Sequence, residues 1–555
     1  MKEERTPYEA LWRDLSDFIL PWRGQWFVTD KRKGRQNDRI INSAATKASR
    51  TLASGLLTGL TSPARPWFRL NTPDPGMMEY SPVKEWLYIV ENRMRDIFAR
   101  SNLYISLHTL YRDLGVFGPA AMLCDADMDD VVRFYPYEIG SYYLATSAEA
   151  RVDTLCREFT MTVRQVVDKF GIDRVTQGTK AAYENCNYDQ RVNVSHLIAP
   201  NTRREYGRMD GRNKPWMSVY YEDGQRAGAA ANDDVLRNSG YEEFPAMCPR
   251  WDATQRDVYG WSAGTDAIGD IKQLQFNEKR KMAAVDKIAD PPMQAPAALK
   301  NRIESLMPGS VTYYDATQGG VQMQPLYQIH PSAVQIFAQD NLEVAQRVRE
   351  AFYEDLFLML ATRTGPEMTA KEIAERHEEK LLALGPVLER LNSELLDPLI
   401  DRTFATMLRH PAQLLPPPPP ELQGQRINVQ YISVLAQSQQ MVATSSMERF
   451  AGFVGQLAAA SQDPSVLDKW DIDQTVDEYG TGIGVPPTII RSDDKVAEIR
   501  AARQQQQQMM QTAAMAKPLA DGAQAAKSLS EAVPTEENAL GRLAEAATGG
   551  AMAPA

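Results

Sequence analysis

Cysteine is scarce in this chain of 555 residues, and histidine is nearly as rare. The cysteines lie far apart and form no CxxC pair: they are Cys124, Cys156, Cys186 and Cys248. That spacing argues against a zinc ribbon or a disulfide framework, and it predicts reduced thiols that are buried more often than reactive. The five histidines are dispersed, without the HExxH motif or His–Cys pairing that a metal or general-base site needs. The sequence therefore predicts no metal and no cofactor.

Long apolar runs, a secretory leader and a phosphate-binding loop are missing too. The most hydrophobic stretches, Leu52–Leu60 and Leu356–Ala361, fall short of the ~18 apolar residues that would span a bilayer. Met1–Pro7 has mixed charge and no apolar core, so we expect no secretory signal. The absence of a GxxxxGKS or GxxxxGKT motif excludes an ATP-driven motor. We expect a soluble intracellular product with no membrane association.

Positive charge is in deficit, because 61 basic residues face 72 acidic ones and the formal net charge is −11. A general nucleic-acid coat would need the opposite balance to displace counterions from phosphates. A protein that lets DNA slide past without gripping it is still compatible with this charge. The hydrophobic and charged fractions, 43% and 24%, are those of an ordinary globular protein.

The pattern of apolar residues predicts an α+β body up to about residue 250. Spacings of three and four residues predict helices over Tyr8–Leu20, Ile40–Leu60 and Ser81–Leu114. Two short helices are expected, at Thr162–Phe170 and Asp173–Tyr183. Short apolar runs between turn residues predict antiparallel strands at Ala120–Cys124, Val131–Tyr135, Tyr142–Ala145, Val152–Phe159, Val192–Ile198, Trp216–Tyr221 and Tyr241–Cys248.

From Ser262 the pattern changes to long helices around a small β segment. The first expected elements are a helix over Thr265–Ile288 and a hairpin whose arms, Val311–Tyr314 and Val321–Leu326, flank Gly319 and Gly320. A continuous helix over Ser332–Leu360 and a loop over Ala361–Met368 are expected next. A long helix is then expected after the capping box Thr369–Glu372. That last helix runs through Leu399, and Pro386 must kink or restart it because proline removes a backbone donor.

Proline marks the next boundary. Pro416–Pro420 predicts a stiff extended spacer between the body and a C-terminal unit over Val429–Arg500, which we expect to be helical. Lys517–Ala555 is rich in Ala, Gly and Ser, cannot build its own core, and is expected to be disordered.

Two segments superficially resemble binding motifs. Asp125–Asp130 resembles the start of a calcium loop, but Asp130 replaces the required glycine and Pro136 the required glutamate, so a polar hairpin turn is favoured. Gly480–Gly484 lacks the strand–helix context of a nucleotide loop and is better explained as a turn.

Short basic clusters occur at Lys31–Arg35 and Lys279–Lys281, with Arg347 and Arg349 further along the chain. Such runs are usually solvated faces, and the functional alternative is loose contact with phosphates.

The order of the segments resembles the head-to-tail connector, or portal, proteins of short-tailed (podovirus-type) bacteriophages. The motifs that carry the resemblance are Leu56–Leu70 (LLTGLTSPARPWFRL), Phe117–Ala121 (FGPAA), Asp153–Thr162 (DTLCREFTMT), Tyr259–Asp270 (YGWSAGTDAIGD), Asp290–Pro292 (DPP) and Arg363–Glu372 (RTGPEMTAKE). The similarity covers about residues 5 to 490, and the order and spacing of the motifs together are specific.

This resemblance implies a mainly helical α+β portal fold with named parts. They would be a wing body (1–262), a first stem helix (263–289), a β-rich clip (290–330), a second stem helix (331–360), a tunnel loop (361–371), a kinked wing helix with the proline-rich spacer (372–428), a helical crown (429–515) and a disordered Ala-rich tail (516–555).

The same resemblance implies candidate functional residues, none of them catalytic. The tunnel-loop or valve candidates are Arg363, Thr364, Gly365, Glu367 and Lys371. The channel-facing stem candidates are Lys279, Arg280, Lys287, Arg347 and Arg349. The clip residues expected to contact partners are Tyr313, Tyr314, Asp315 and Gln318.

The implied assembly is a ring, typically of twelve subunits, at one capsid vertex of the virion and assembled in the host cytoplasm. Its implied partners are double-stranded DNA bound without regard to sequence, terminase, tail adaptor and tail tube proteins, and the major capsid and scaffold proteins. Two alternatives stay open: a scaffold or internal head protein without a channel, and a metal-dependent packaging nuclease. The nuclease would need clustered carboxylates, which only Asp125–Asp130 offers.

Overall fold

The computed structural model describes most of the chain as a mixture of helix and sheet. The described residues are 1–26, 38–74, 76–77, 80–208, 210–223, 235–254, 257–289, 293–294, 324–325, 330–361, 384–422, 424, 427–431, 447–454, 456–457, 470–483 and 495–510. They fall into two compact units, one of residues 1–74 and 86–484 and one of residues 75–85 and 485 onward. Among the described helices, none is long and apolar enough to cross a bilayer.

Helices supply most of the framework. In chain order they are α1 (Lys2–Phe18), α2 (Ala44–Leu60), α3 (Ser81–Arg100), α4 (Leu103–Phe117), α5 (Val163–Phe170), α6 (Gln177–Glu184), α7 (Ala263–Ala289), α8 (Pro331–Ala351), α9 (Glu354–Ala361), α10 (Asp397–Arg409) and α11 (Ile472–Ile483). Residues 384–391 are helical and continue through a π-helical turn, Asn392–Leu396, into α10. Residues 447–454 and 495–510 are also helical.

The strands form several antiparallel sheets. In chain order they are β1 (Phe68–Asn71), β2 (Ala121–Asp127), β3 (Val131–Tyr137), β4 (Tyr142–Thr146), β5 (Val152–Thr162), β6 (Arg191–Pro200), β7 (Trp216–Glu222), β8 (Arg237–Tyr241), β9 (Ala246–Met247), β10 (Met293–Gln294), β11 (Gln324–Pro325) and β12 (Asn428–Tyr431). The larger sheets have the orders β4-β5-β6-β7-β8 and β3-β2-β9. Two-stranded pairs join β1 to β12 and β10 to β11.

The centre of the first unit lies where α1, α4 and the start of α7 meet. Trp12 is 1% exposed, and its indole Nε1 donates a 3.0 Å hydrogen bond to the Phe117 carbonyl at the end of α4. Tyr259 packs edge-on against that indole. At Gly264 a Cβ would lie 2.5 Å from the Val116 carbonyl oxygen, so only glycine lets α7 begin this close to α4.

A polar row crosses the five-stranded sheet. Arg157, His196, Tyr220 and Arg237 are direct partners on successive strands β5 to β8, so their side chains share one face. The His196 ring stacks on Tyr220 with centroids 3.8 Å apart, and its Nε2 lies 2.9 Å from the Ser218 hydroxyl. Burial, reinforced by the nearby cations, lowers the pKa of His196 to about 3, so the buried ring is neutral.

The β1–β12 pair connects distant parts of the sequence. Leu70 pairs with Val429, and the Leu70 N–H also donates a 2.7 Å hydrogen bond to the Glu91 carboxylate of α3. Burial raises the pKa of Glu91 to about 7. The chain that follows the prolines therefore returns to the N-terminal part of the fold.

Several predicted elements are confirmed, and several predictions are wrong in detail. The expected strand Tyr241–Cys248 is divided between the end of β8 and β9, and Gly480–Ile483, expected as a turn, belongs to α11. The expected helix over Ser81–Leu114 is interrupted at Ser101 and Asn102, and that over Ser332–Leu360 is interrupted at Phe352 and Tyr353. In each of these two segments the spacing of apolar residues indicates the buried face before and after the break, but it does not indicate the break itself. The strands predicted between Ala120 and Cys248 belong to two separate sheets. Asn428–Tyr431 is a strand where a helical unit was expected to begin.

Candidate channel helices and their anchorage

Helices α7 and α8 pack side by side and run in opposite directions. Asp270 faces Arg347, while Asn277, two turns further along α7, faces Asp340, which lies earlier on α8. The Asp270–Arg347 distance is 3.0 Å, and the amide of Asn277 donates to the Asp340 carboxylate at 2.5 Å. These contacts fix the register of the two helices and show that they form an antiparallel pair.

A buried amide anchors α7 to the chain segment before α2. Gln275 is 5% exposed, and its Oε1 accepts hydrogen bonds from the backbone N–H groups of Ile41 and Asn42, each at 2.7 Å. Its Nε2 donates to the Asn42 carbonyl at 2.8 Å. Because every polar atom of the amide is engaged, burying it costs little. Ala44, Leu274, Val344 and Ala345 form the apolar cluster beside it.

The half of α7 after Gln275 is covered by very little of its own chain. No residue from 276 to 289 is buried, although the apolar residues Phe276, Met282, Val285 and Ile288 are there, 53%, 55%, 46% and 39% exposed. The adjoining half of α8 is similar, since Ile336 is 67% and Leu342 72% exposed. Large apolar side chains that are this exposed along two paired helices are typical of an interaction surface.

The basic stem candidates lie on this helix pair, but their surroundings differ. Lys279, Arg280 and Lys287 are exposed on the uncovered half of α7, and the Arg280 guanidinium lies 4.2 Å from the Phe276 ring centroid. Arg347 and Arg349 are paired within the chain, with Asp270 at 3.0 Å and with Glu354 at 3.6 Å. The structure thus brings the five candidates onto one helix pair, where Arg347 and Arg349 form ion pairs within the chain.

The loop candidates cannot be placed in this way. The tunnel-loop residues Arg363, Thr364, Gly365, Glu367 and Lys371 lie outside the described residues, as do the clip residues Tyr313, Tyr314, Asp315 and Gln318. The structure does describe residues that flank the clip and the tunnel loop. The short pair β10–β11 brings Met293 opposite Pro325 between α7 and α8. Helix α9 leads into the segment that follows residue 361.

Helix α9 is held tightly against α2. Phe357 is 5% exposed, and its ring lies directly over Gly55, where a Cβ would come within 2.1 Å of a ring carbon. Before α9, Tyr353 has a φ of 55°, a left-handed conformation that costs a residue with a Cβ roughly 1 kcal/mol. Its ring packs 6.2 Å from that of Trp251. These contacts fix the direction in which the chain leaves the helix pair.

A buried ion pair that the sequence did not reveal joins three parts of the fold. Arg250, 4% exposed, donates from Nη2 to Glu394 at 2.6 Å, and its backbone N–H donates to the same carboxylate at 2.9 Å. The guanidinium also donates to the carbonyls of Ala150 and Asp257. Glu394 reaches it from the π-helical turn before α10. The partners are far apart in sequence, so no local pattern could have indicated the pair.

The acidic segment Asp125–Asp130 forms the end of β2 and the hairpin turn that leads into β3, in agreement with the predicted polar hairpin turn. Arg133 binds Asp127 at 2.8 Å and Asp130 at 3.0 Å, and the backbone N–H of Asp129 lowers the pKa of Asp127 further than these contacts do. Within the described residues, no group of His, Cys, Asp and Glu is arranged to hold a metal ion.

The thiols follow the expectation only partly. Cys124 and Cys248 are buried, and burial raises the pKa of the Cys124 thiol to about 12. Cys156 is half-buried, and Cys186 is exposed.

Comparisons with known proteins agree along the whole chain. A family model described as bacteriophage head to tail connecting protein matches residues 1–490. The portal protein of Salmonella phage epsilon15 is 46% identical over 550 residues, which are 99% of this chain and 96% of that protein. The probable portal protein of Bordetella phage BPP-1 is 42% identical over 550 residues, covering 99% of this chain and 97% of that protein.

Solved structures offer a more distant similarity. A chain from the neck of an empty gene transfer agent particle, computed with C6 symmetry, is 10% identical with a TM-score of 0.33 and covers 77% of this chain and 93% of that one. A chain from the virion of a native gene transfer agent particle is 12% identical with a TM-score of 0.29, and the match covers 72% of this chain and 89% of that one. At these scores the similarity carries no argument about detail.

Proposed function

Because the chain belongs to the bacteriophage head-to-tail connecting protein family, a membership that confirms the resemblance expected from its motifs, we propose that it acts as the portal subunit. Identical copies form a closed ring, typically of twelve, at one vertex of the capsid. The ring provides the channel through which DNA enters during packaging and leaves during ejection. It is also the platform on which terminase, tail adaptor and tail tube proteins dock, and it contacts the major capsid and scaffold proteins.

The observation that carries this proposal is the exposed apolar surface of the α7–α8 pair. Within one chain, Phe276, Met282 and Val285 stay in contact with water, which is unfavourable by roughly 25 cal/mol per Å² of apolar surface. A rotation that closes on itself brings the same surface of every copy against a neighbour. Contacts between copies therefore cover these side chains and place the helix pairs around a common axis.

The parts of the chain acquire roles in this ring. Helix α7 is the first stem helix, and at 27 residues it is about 40 Å long. Residues 331–360 provide the second stem segment, in which α8 and α9 are separated by the break at Phe352 and Tyr353, 290–330 the clip and 361–371 the tunnel loop. Residues 1–262 form the wing body, 372–428 the wing helix and spacer, and 429–515 the crown.

The charge of the chain suits a passage for DNA. A surplus of acidic residues keeps the duplex from adhering to the wall, while a few basic side chains steady its phosphates by salt-sensitive attraction. Contacts to phosphates are independent of base sequence, as packaging requires. Lys279 and Arg280 suit this role better than Arg347 and Arg349, whose charges are already paired with carboxylates of the same chain.

The test is to image the purified full-length chain and two matched variants by negative-stain electron microscopy. We expect rings with an axial hole from the wild type, and loss of rings from Met282→Asp/Val285→Asp. Met128→Asp serves as the control, since Met128 is 81% exposed at the β2–β3 turn, away from the helix pair. A lone monomer or a solid bundle from the wild type would overturn the channel proposal and favour a scaffold protein. Intact rings from the double variant would remove its principal support.

A further inference from the structure

Two surface patches of the first unit carry unpaired charges of opposite sign, each beside a half-exposed tryptophan. The basic patch consists of Arg50, His108 and Arg112 with Trp22 and Ile105. The acidic patch consists of Asp252 and Asp266 with Trp261 and Tyr353. In the described part of the chain, Arg50, Arg112, Asp252 and Asp266 form no ion pair.

The basic patch is built from two neighbouring helices. Arg50 lies on α2 and is exposed, while His108 and Arg112 lie one turn apart on α4. The His108 Nε2 is 3.4 Å from the Ser54 hydroxyl of α2, which places the imidazole between the helices. Burial and the charges of Arg112 and Arg50 lower the pKa of His108, so both guanidinium groups are close to the ring.

Arg112 is the least satisfied member of this patch. Its guanidinium carbon lies 5.4 Å from the Trp22 ring centroid, and its Nε and Nη2, which are shielded from water, have no hydrogen-bond partner among the described residues. The adjacent carboxylate, Asp113, is turned toward Arg23, with an Oδ1–Nε distance of 2.9 Å. Unsatisfied buried donors are uncommon in native proteins, because leaving one without a partner costs free energy.

The acidic patch surrounds the start of α7. Asp266 lies in the first turn of that helix, and burial together with the charge of Asp252 raises its pKa. The same two carboxylates, after burial, raise the pKa of the Tyr353 phenol, which places all three groups in one neighbourhood. Trp261, 43% exposed, is joined to Asp252 by two backbone hydrogen bonds.

The composition of the patches favours a protein partner over a nucleic acid. Trp22 is 45% and Ile105 78% exposed, and tryptophan and arginine are the residues most enriched where proteins bury their strongest contacts. Phosphate contacts gain nothing from a neighbouring isoleucine. A head-to-tail contact, moreover, needs two different surfaces on the same chain that are complementary to each other.

We propose that the basic patch of one copy docks against the acidic patch of the next copy in the ring, with Arg50 and Arg112 opposite Asp252 and Asp266. This inference rests on the proposed ring function and specifies the contact that closes it. Like charges would repel across such a contact, and opposite charges fix which surface meets which.

Reversing the charge of each patch in turn provides the test. Variant A is Arg50→Glu/Arg112→Glu, so both of its patches are acidic, and variant B is Asp252→Arg/Asp266→Arg, so both are basic. We expect each variant alone to form at least about tenfold fewer rings than the wild type at equal concentration. An equimolar mixture of A and B is expected to restore rings, because the two copies can alternate with opposite charges at every contact.

The matched controls reverse exposed charges elsewhere. Lys180→Glu, on the exposed side of α6, and Asp173→Arg, between α5 and α6, should leave the ring fraction unchanged, and circular dichroism should report the same helix content for every variant. Rings from variant A or variant B alone, or no rings from their mixture, would overturn the proposed pairing of the two patches. The portal function would still stand in that case, provided that the wild type forms rings. Normal rings of A with reduced retention of DNA would assign the basic patch to DNA instead. No rings from the wild type would refute both proposals.

Discussion

Replacing Gly55 of α2 with alanine tests how firmly α9 is held at the exit of the helix pair. The added Cβ would lie 2.1 Å and 2.2 Å from the Cδ1 and Cγ of Phe357 and 2.8 Å from its Cβ. Rotation of the ring cannot relieve a contact that reaches the root of the side chain, so α9 has to move away from α2. Overpacking of this kind costs about 1–3 kcal/mol, which outweighs the gain of up to ~1 kcal/mol from placing alanine in a helix.

The matched control is Gly269→Ala in α7, where a Cβ would meet nothing within 4 Å. This variant gains only the helix propensity, so it should unfold at a higher temperature than the wild type, and Gly55→Ala at a lower one. The assay is thermal unfolding of the full chain at equal concentration.

A second pair of variants isolates the contact itself. Phe357→Ala removes the ring carbons at 2.1 Å and 2.2 Å but keeps the Cβ at 2.8 Å, so adding Gly55→Ala to it should cost less than Gly55→Ala costs in the wild type. The reasoning is refuted if Gly55→Ala is as stable as Gly269→Ala, or if its cost is undiminished without the Phe357 ring.

Four further outcomes are expected. Arg250→Met strands the carboxylate of Glu394 and should cost on the order of 3 kcal/mol in chemical denaturation, much of it recovered by adding Glu394→Leu. The pKa of His196 is about 3 in the folded chain and 6.5 in the unfolded chain, so the unfolded chain binds the proton more readily. The contribution of His196 to the free energy of unfolding should therefore be full above pH 6.5 and fall by about 1.4 kcal/mol per pH unit as the pH drops from there toward 3. His196→Gln should flatten this slope. Arg363→Ala should leave rings intact but alter DNA retention in filled heads, and normal retention there would count against its valve role. Deletion of the tail after Lys517 should spare ring assembly, so missing rings would show that the tail is structural.

Local patterns in the sequence were enough to place the helices that bury one face. The stripe of Leu15 and its neighbours predicted α1, and the spacing of Ile271 and Leu274 predicted α7. The break at Tyr353 was not predictable, because the apolar spacing continues from Val348 through Phe352 to Leu356 across it. Only the packing of Phe357 on Gly55 and of Tyr353 on Trp251 explains why the chain turns there.

Residues that act across long sequence separations were also beyond sequence reasoning. Arg250 and Glu394 carry no local signal, since each is an ordinary charged residue until the fold brings them together. The stem candidates were found as charge runs, yet the sequence could not tell that Arg347 already has a partner in Asp270 while Arg280 lies over Phe276. Burial and pairing decide which charges are free to act, and both depend on tertiary structure.

The pairing of β1 with β12 has a consequence for biogenesis. During translation, Phe68–Asn71 leaves the ribosome long before Asn428–Tyr431, because most of the chain is made in between. Until then the strand has one vacant hydrogen-bonding edge, the kind of edge that recruits foreign strands. Glu91 can hold the Leu70 N–H early, since both belong to the N-terminal part, but only the late strand completes the ladder. A nascent chain therefore cannot complete its N-terminal body before Asn428–Tyr431 has been made. Truncation before Asn428 should yield aggregates in place of shortened subunits.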